Sequence, residues 1–393
     1  MRFRDTLARP GLQAIAEFKR RSPSAGELRP TGDPGVTAAG YEAAGAAAMS
    51  ILVDELFAGT LDDLRAARAA ATLPLLGKGF FTTEAQLDDL KDAGADAALL
   101  ILRDLDDRAA ARLLEHAGRI GLDTLVEAHD LPELERALRL RAPVVGLNAR
   151  DLSTFRIDRA TQLQLVARAR RGDGDVHLHH PPLIVAESGI TSTAQGAAAE
   201  LAGADAILVG SALMRAPDPA AQLREILRRP LIKVCGLTRE EDVAVAAEAG
   251  ADMAGFILAQ ETPRRAPAVL PVPETMLSVA VHVGEVTDDR ADLVQLYARE
   301  DGHRARDGVL LRENEPVARV LDRPWQQEDP EHLERAGAAD GRVMLAGGLS
   351  AENVAAAIEA VHPWAVDASS SLESEPGIKD HEKVRRYVEA ARC

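Results

Sequence analysis

Ile232-Lys233-Val234-Cys235-Gly236-Leu237-Thr238-Arg239 is a short apolar run that ends on a cysteine, turns at glycine and threonine, and enters an acidic helix start. A strand that hands a thiol to the mouth of a strand–helix unit sits where parallel α/β folds place their function. Far upstream, Ile15-Ala16-Glu17-Phe18-Lys19 delivers charged side chains from a strand in the same manner. Two such openings predict two active sites in one chain.

At 393 residues the chain has room for two domains, since one takes about 100–200 residues and a barrel up to about 250. Apolar residues make up 46% and aromatics 3%, so the core is built from Ala, Leu, Val and Ile. That suits parallel strands covered on both faces by alanine-rich helices. A net charge of −16 argues against nucleic acid, because a duplex binder needs a basic face to displace counterions. Phosphorylated small molecules remain open as partners, since backbone amides at helix N-termini can hold them. No apolar run reaches the roughly 18 residues of a membrane helix, and Met1-Arg2-Phe3-Arg4-Asp5 is no signal segment. A cytosolic protein is the expectation, with the oligomeric state open between a monomer and larger assemblies.

Cys235 and Cys393 are the two cysteines, one at a strand end and one at the last position, which disfavours a disulfide framework. The cluster His177-Leu178-His179-His180 runs into Pro181-Pro182 and has no second ligand pair nearby, so it reads as a loop. No metal and no cofactor are expected.

Residues 12–229 alternate between short apolar runs and amphipathic stretches. The runs are Ala14–Phe18, Ala48–Val53, Leu75–Lys78, Ala97–Leu102, Thr124–Glu127, Val144–Asn148, Leu183–Glu187 and Ala206–Val209. Eight strands, each followed by a helix, predict a (β/α)₈ or TIM barrel. An open doubly wound sheet is the alternative, although no glycine-rich dinucleotide fingerprint follows any strand. A boundary near Arg228-Arg229-Pro230 divides the chain into 1–229 and 230–393. The second part repeats the plan with strands Ile232–Val234, Met253–Leu258, Leu277–Val283, Leu293–Leu296, Val343–Ala346 and Ala365–Asp367. Between Tyr297 and Leu321 there is room for strands but hardly for two covering helices. The fold class is therefore two tandem (β/α)₈ barrels, the second shortened in its middle.

Glu17, Lys19, Lys78, Glu127, Asn148 and Glu187 all fall at the C-terminal ends of expected strands. On a closed barrel they converge on one mouth, where acids, bases and cations can act together. Glu187-Ser188-Gly189-Ile190 and Val209-Gly210-Ser211-Ala212 place small residues where barrels bind phosphate, after strands seven and eight. Ala346-Gly347-Gly348-Leu349 and Asp367-Ala368-Ser369-Ser370-Ser371 repeat that arrangement.

Taken with Lys19-Arg20-Arg21-Ser22-Pro23-Ser24, Gly77-Lys78-Gly79-Phe80, Val126-Glu127-Ala128 and Gly146-Leu147-Asn148-Ala149-Arg150-Asp151-Leu152, these motifs give a family likeness. The first part resembles indole-3-glycerol-phosphate synthase, and the second resembles phosphoribosylanthranilate isomerase. The resemblance implies consecutive tryptophan-pathway reactions. The isomerase converts phosphoribosylanthranilate to an arylamino-deoxyribulose phosphate. The synthase cyclises that product with loss of CO₂ and water. It implies Lys78 as general acid, Glu127 as general base and Lys19 as carboxylate holder and proton tuner. Glu17, Asn148 and Glu187 would orient the substrate. Ser22, Ser188, Gly189, Gly210 and Ser211 would hold phosphate, and Arg150 would position the substrate or order the mouth. In the second part it implies Cys235 as base, Asp322 as acid and Arg264 as partner of the anthranilate carboxylate. Gly347, Gly348, Asp367, Ser369 and Ser370 match its phosphate loops, and Pro376-Gly377-Ile378-Lys379-Asp380 its C-terminal signature.

Several positions depart from those families. Gly79 stands where an acidic residue is usual, and about a dozen residues precede the first strand where the family has a longer leader. Gln295-Leu296-Tyr297-Ala298 replaces Gln-Leu-His-Gly, and Arg323-Pro324-Trp325-Gln326-Gln327 replaces a glycine-rich loop. A second reading therefore keeps the synthase and makes the C-terminal part a decayed, non-catalytic phosphate-binding or stabilising barrel.

Overall fold

The computed structural model describes residues 2–151, 154–172, 181–260, 262–287, 290–300, 303–323 and 329–392. The histidine cluster at 177–180, Cys393, Leu152 and the stretch 324–327 lie outside them. Contacts divide the chain into one unit of residues 1–191 with 196–227 and another of 192–195 with 228–393.

In the first unit, β1 (Gln13–Phe18), β2 (Ala48–Leu52), β3 (Leu75–Lys78), β4 (Ala97–Ile101), β5 (Asp123–Ala128), β6 (Val144–Asn148), β7 (Leu183–Glu187) and β8 (Ala206–Val209) close a ring of parallel strands. The ring follows chain order, so β8 pairs with β1. A helix follows each strand: α1 (Pro34–Ala43), α2 (Leu61–Ala70), α3 (Glu84–Asp92), α4 (Asp107–Arg119), α5 (Leu131–Arg139), α6 (Arg159–Arg171), α7 (Thr193–Ala202) and α8 (Pro219–Leu227). Several of them start on the same device. Asp33, Asp106, Asp130 and Asp158 each accept a backbone N–H from the first turn, satisfying donors that a helix start leaves unpaired. All residues of β2, β4 and β5 are buried, as expected of strands that face side chains inside and helices outside.

The interior of this ring has two layers. At the N-terminal end Ile15, Leu76, Leu99, Leu125, Val144, Val185 and Leu208 pack with Phe3 and Leu7 of a short leading helix. Arg2 and the backbone N–H of Arg4 hold that helix to Asp123, the first residue of β5. At the C-terminal end the layer is polar, which confines the chemistry to one mouth.

The second unit is also a closed ring: β9 (Leu231–Cys235), β10 (Met253–Ile257), β11 (Leu277–Val283), β12 (Leu293–Glu300), β13 (His303–Arg312), β14 (Glu315–Leu321), β15 (Val343–Leu345) and β16 (Ala365–Ala368). It departs from the (β/α)₈ plan in the direction of one strand and in its covering helices. β13 runs antiparallel to both β12 and β14. Its covering helices are α9 (Glu240–Ala249), α10 (His332–Gly337), α11 (Val354–Val361) and α12 (His381–Arg392). Among the described residues, none follows β10, β11, β12 or β13. A two-residue turn joins β13 to β14. Glu313 and Asn314 both have positive φ, 49° and 66°, the backbone of a tight hairpin whose twist suits antiparallel strands. Without helices over it, β13 leaves every residue but Ala305 and Leu310 at least partly in water, which an antiparallel strand tolerates better than a parallel one.

Candidate active sites

Glu17, Lys78, Glu127, Asn148 and Glu187 are each the last or next-to-last residue of a strand, and Lys19 directly follows β1. Lys78, on β3, is the hub. Its Nζ lies 2.7 Å from Glu187 Oε2 and 3.6 Å from carboxylate oxygens of both Glu17 and Glu127. Lys19 Nζ donates to Glu17 Oε1 at 2.5 Å. Asn148 Oδ1 accepts the backbone N–H of Arg150 at 3.0 Å, and its amide favours the ionised form of Glu127. Glu17, Lys78, Glu127 and Glu187 are each less than a tenth exposed.

Two glycines leave the space for this cluster. A Cβ on Gly146 would stand 2.0 Å from Glu187 Oε1, and one on Gly210 would stand 2.2 Å from Glu17 Oε1 and 3.0 Å from Lys19 Nζ. No flexible side chain can make room there without moving a carboxylate.

The electrostatics separate the carboxylates. Burial pushes Glu127 up, but Lys78, His129 and Asn148 outweigh it and bring the group to about 2. Burial pushes Glu187 up too, Lys78 opposes it, and repulsion from Glu127 and Glu17 leaves it at about 7. Glu17 is held below its ordinary value: burial opposes this, and Lys19 and Lys78 overcome it. Burial lowers Lys78, but Glu187, Glu17 and Glu127 together raise it well above a free lysine. Its ammonium is therefore charged throughout the neutral range.

The expected phosphate-holding residues follow β1, β7 and β8, three neighbours in the ring. Ser22 Oγ lies 3.5 Å from Ser24 Oγ, which accepts from Arg150 Nη1 at 3.2 Å. Ser188 and Gly189 both have positive φ, 69° and 75°, so the turn after β7 aims consecutive backbone groups at the mouth. Gly210 and Ser211 lead into the short helical turn Ser211–Arg215 after β8.

His129 was not singled out in the sequence, although it stands two residues past Glu127. Its Nδ1 is 3.0 Å from Glu133 Oε2, and its Nε2 is 3.2 Å from Glu127 Oε1. The second contact lies off the line of a hydrogen bond, so it acts through charge. Burial lowers His129, but the two carboxylates outweigh it and raise it to about 9. A raised histidine stabilises the fold fully below its unfolded value near 6.5 and loses that contribution as pH passes about 9. The thermal midpoint is therefore expected to decline across that window, and His129→Gln should flatten the decline. Equal slopes in calorimetric scans of both proteins would refute this.

In the second unit, Cys235 ends β9 and is buried. Lys233, two residues earlier on the same inward face, donates to Gln295 Oε1 and Asp367 Oδ2, both at 2.8 Å, and its charge favours the thiolate. Gly255 gives Cys235 its space, since a Cβ there would stand 2.7 Å from Sγ. Burial pushes the Cys235 thiol up and Lys233 only partly offsets it, so the group lies above its ordinary value. The lysine therefore has to counter desolvation before it can favour the thiolate.

Asp322 follows β14. Its Oδ2 accepts from Tyr297 Oη at 3.0 Å and Arg304 Nη1 at 2.9 Å. Its Oδ1 accepts the backbone N–H of Arg323 at 2.7 Å. Gln295 Nε2 donates to Tyr297 Oη at 2.7 Å. A buried polar chain, Lys233–Gln295–Tyr297, thus joins the surroundings of Cys235 to Asp322.

Arg264 is engaged by the protein itself: its Nε donates to both oxygens of Glu373, at 3.0 and 2.9 Å. At the expected phosphate loops, Gly347 and Gly348 have positive φ. The guanidinium of Arg323 lies 1.9 Å from where a Gly348 Cβ would be, which puts a cation over that turn. Ser370 opens the turn Ser370–Leu372. Ser369 Oγ and Asp367 Oδ1 are buried without a hydrogen-bond partner among the described residues, the condition of polar groups that a bound molecule would satisfy.

The family model for indole-3-glycerol phosphate synthase matches residues 1–226, and that for N-(5'-phosphoribosyl)anthranilate isomerase matches residues 326–390. The indole-3-glycerol phosphate synthase of Mycobacterium ulcerans (strain Agy99) is 41% identical over 222 residues, 56% of this chain and 78% of the relative. That of Opitutus terrae is 44% identical over 237 residues, 58% of this chain and 85% of the relative. A phosphoribosyl anthranilate isomerase structure from Thermus thermophilus is 25% identical, covering 40% of this chain and 96% of that one, at a TM-score of 0.33. The chain belongs to the indole-3-glycerol phosphate synthase family and joins that enzyme to a phosphoribosylanthranilate isomerase unit, which makes it a bifunctional, multi-reaction enzyme of tryptophan biosynthesis.

Proposed function

We propose that Lys78 is the proton donor of the synthase reaction, with Glu127 as its general base and Glu187 setting how readily Lys78 gives up its proton. The observation that carries this is one ammonium reached by carboxylates from β1, β5 and β7 in a buried mouth. Cyclisation needs a cation at the ketone oxygen while a ring carbon attacks, and dehydration then needs a base. Lys78 retains its charge there, and Glu127 is ionised and so able to accept a proton. Lys19 binds the substrate carboxylate, with Glu17 and Asn148 orienting the groups around it. Ser22, Ser188, Gly189, Gly210 and Ser211 hold the phosphate, and Arg150 ties the loop after β6 to Ser24.

Glu187 is the carboxyl that titrates nearest neutrality. Protonated, it leaves Lys78 one anionic partner fewer and makes it a better acid. As pH rises through about 7, Glu187 ionises, Lys78 holds its proton harder, and turnover declines. Synthase kcat is therefore expected to show an alkaline inflection near that pH, absent in Glu187→Gln. An inflection retained in that variant would overturn the assignment.

In the isomerase unit, Cys235 removes the C2 proton and Asp322 protonates the departing ring oxygen, with Lys233 stabilising the thiolate. Gly347, Gly348, Ser369 and Ser370 hold the phosphate and Asp367 anchors Lys233. Arg264 faces the anthranilate carboxylate with its Nη groups. The reading places the enzyme among phosphorylated metabolites in the cytosol. The net charge of −16 disfavours nucleic acid, and among the described residues no helix is long and apolar enough to cross a membrane.

A further inference from the structure

Tyr297 and Arg304 lie between the two family matches, which end at residue 226 and resume at 326, and no role attaches to either by resemblance. Both belong to the antiparallel insertion, and the reversal of β13 is what brings Arg304 to the mouth. A parallel strand presents its last residues at that rim; β13 presents its first ones. Arg304 therefore pairs in register with Arg299, near the end of β12.

The contacts around Asp322 are built rather than incidental. Tyr297 is 3% exposed. Its ring has space because Gly308 stands opposite it in the ladder, where a Cβ would lie 3.0 Å from the ring and 2.8 Å from Leu296 O. The guanidinium of Arg304 covers the same ring at 4.2 Å from its centroid. Gln295 Nε2 can only donate, so it takes a lone pair of Tyr297 Oη and turns the single phenolic hydrogen toward Asp322 Oδ2. Arg304 donates to that same oxygen. Asp307, also on β13, accepts the backbone N–H of Asp322 at 3.1 Å and is itself held by Arg335 at 2.8 Å. One strand thus supplies a charge partner for the Asp322 side chain and an acceptor for its backbone.

We propose that Tyr297 and Arg304 are positioning residues of the isomerase, fixing the Asp322 carboxyl for proton transfer to the sugar ring oxygen. The hairpin that replaces helices in this barrel would then take the orienting part of the glycine-rich loop that the chain lacks. This rests on the reading of Asp322 as the acid. A proton donor that swings by an ångström loses much of its rate advantage, so the effect falls on turnover rather than on substrate binding.

The test uses the full chain with isomerase and synthase turnover measured separately. Tyr297→Phe and Arg304→Gln are expected to lower isomerase kcat at least about tenfold with KM within about threefold, while synthase kcat is unchanged. Arg304→Lys should recover part of the loss. If Tyr297→Phe lowers the thermal midpoint, the comparison of Arg304→Gln with Arg304→Lys, at a side chain one-third exposed, carries the decision. Wild-type isomerase kcat in both Tyr297→Phe and Arg304→Gln, with Asp322→Asn inactive, would overturn the proposal alone. Full turnover in Asp322→Asn would instead remove the acid assignment, and the proposal with it.

Discussion

Lys78→Met is expected to reduce synthase turnover by about 10²–10⁴-fold, the usual contribution of a positioned acid, while isomerase turnover persists. The same substitution should cost much of the first unit's stability. Lys78 is the shared cation of Glu17, Glu127 and Glu187, all buried. Methionine fills a similar volume but leaves these carboxylates facing one another with Lys19, His129 and Arg150 as cations around them. Removing one partner of a buried pair costs about 3–5 kcal/mol. Part of that is recovered when Glu187, already at about 7, takes up a proton. The loss of stability should therefore be smaller at pH 5 than at pH 8, a difference that denaturant titrations at the two values would measure. Synthase turnover within threefold of wild type would remove Lys78 from the mechanism, whatever happened to stability.

Lys78 also illustrates how much was legible in the sequence. A lysine ending the run Leu75-Leu76-Gly77-Lys78 is identifiable as a strand-end residue because parallel strands are apolar on both faces until they reach the rim. All eight strands of the first ring could be placed in this way, and the mouth residues with them. The pairing of Lys78 with Glu187 rather than with Glu127 could not. It depends on side-chain reach across the ring, which the two-residue period of a strand does not encode. His129 escaped for a related reason: its role comes from Glu133, in the first turn of α5, folding back onto it.

In the second unit the two helices missing after β12 and β13 were readable from the shortness of 297–321, but those missing after β10 and β11 and the reversal of β13 were not inferred. Its signal was present in Arg312-Glu313-Asn314-Glu315, a polar turn between alternating segments. Asn tolerates a left-handed backbone and Glu does so at some cost, so the turn lacks the Asn-Gly signature that would announce it. The engagement of Arg264 by Glu373 likewise joins residues 109 positions apart, a separation that no local pattern reports.

Cys235→Ala should abolish isomerase turnover, by at least about 10³-fold for loss of a base that acts directly on carbon, and leave synthase turnover intact. Lys233 sharpens the argument, because the thiol is not activated by its position alone. Burial raises it, and Lys233 is the group that most strongly opposes the rise. Lys233→Met is therefore expected to remove isomerase turnover almost as fully as Cys235→Ala while costing far more stability. Asp367 loses its cation in a buried site and Gln295 loses a donor, and an unpaired buried carboxylate costs about 3–5 kcal/mol. Cys235→Ala deletes a small side chain that makes no ion pair, so its thermal midpoint should stay close to wild type. The two variants thus separate chemistry from folding: similar loss of turnover, different loss of stability. Isomerase turnover surviving in Cys235→Ala would mean that another group takes the C2 proton. If turnover were preserved in Lys233→Met and lost in Cys235→Ala, the thiolate would have to be formed by the substrate's own charges rather than by the lysine beneath it.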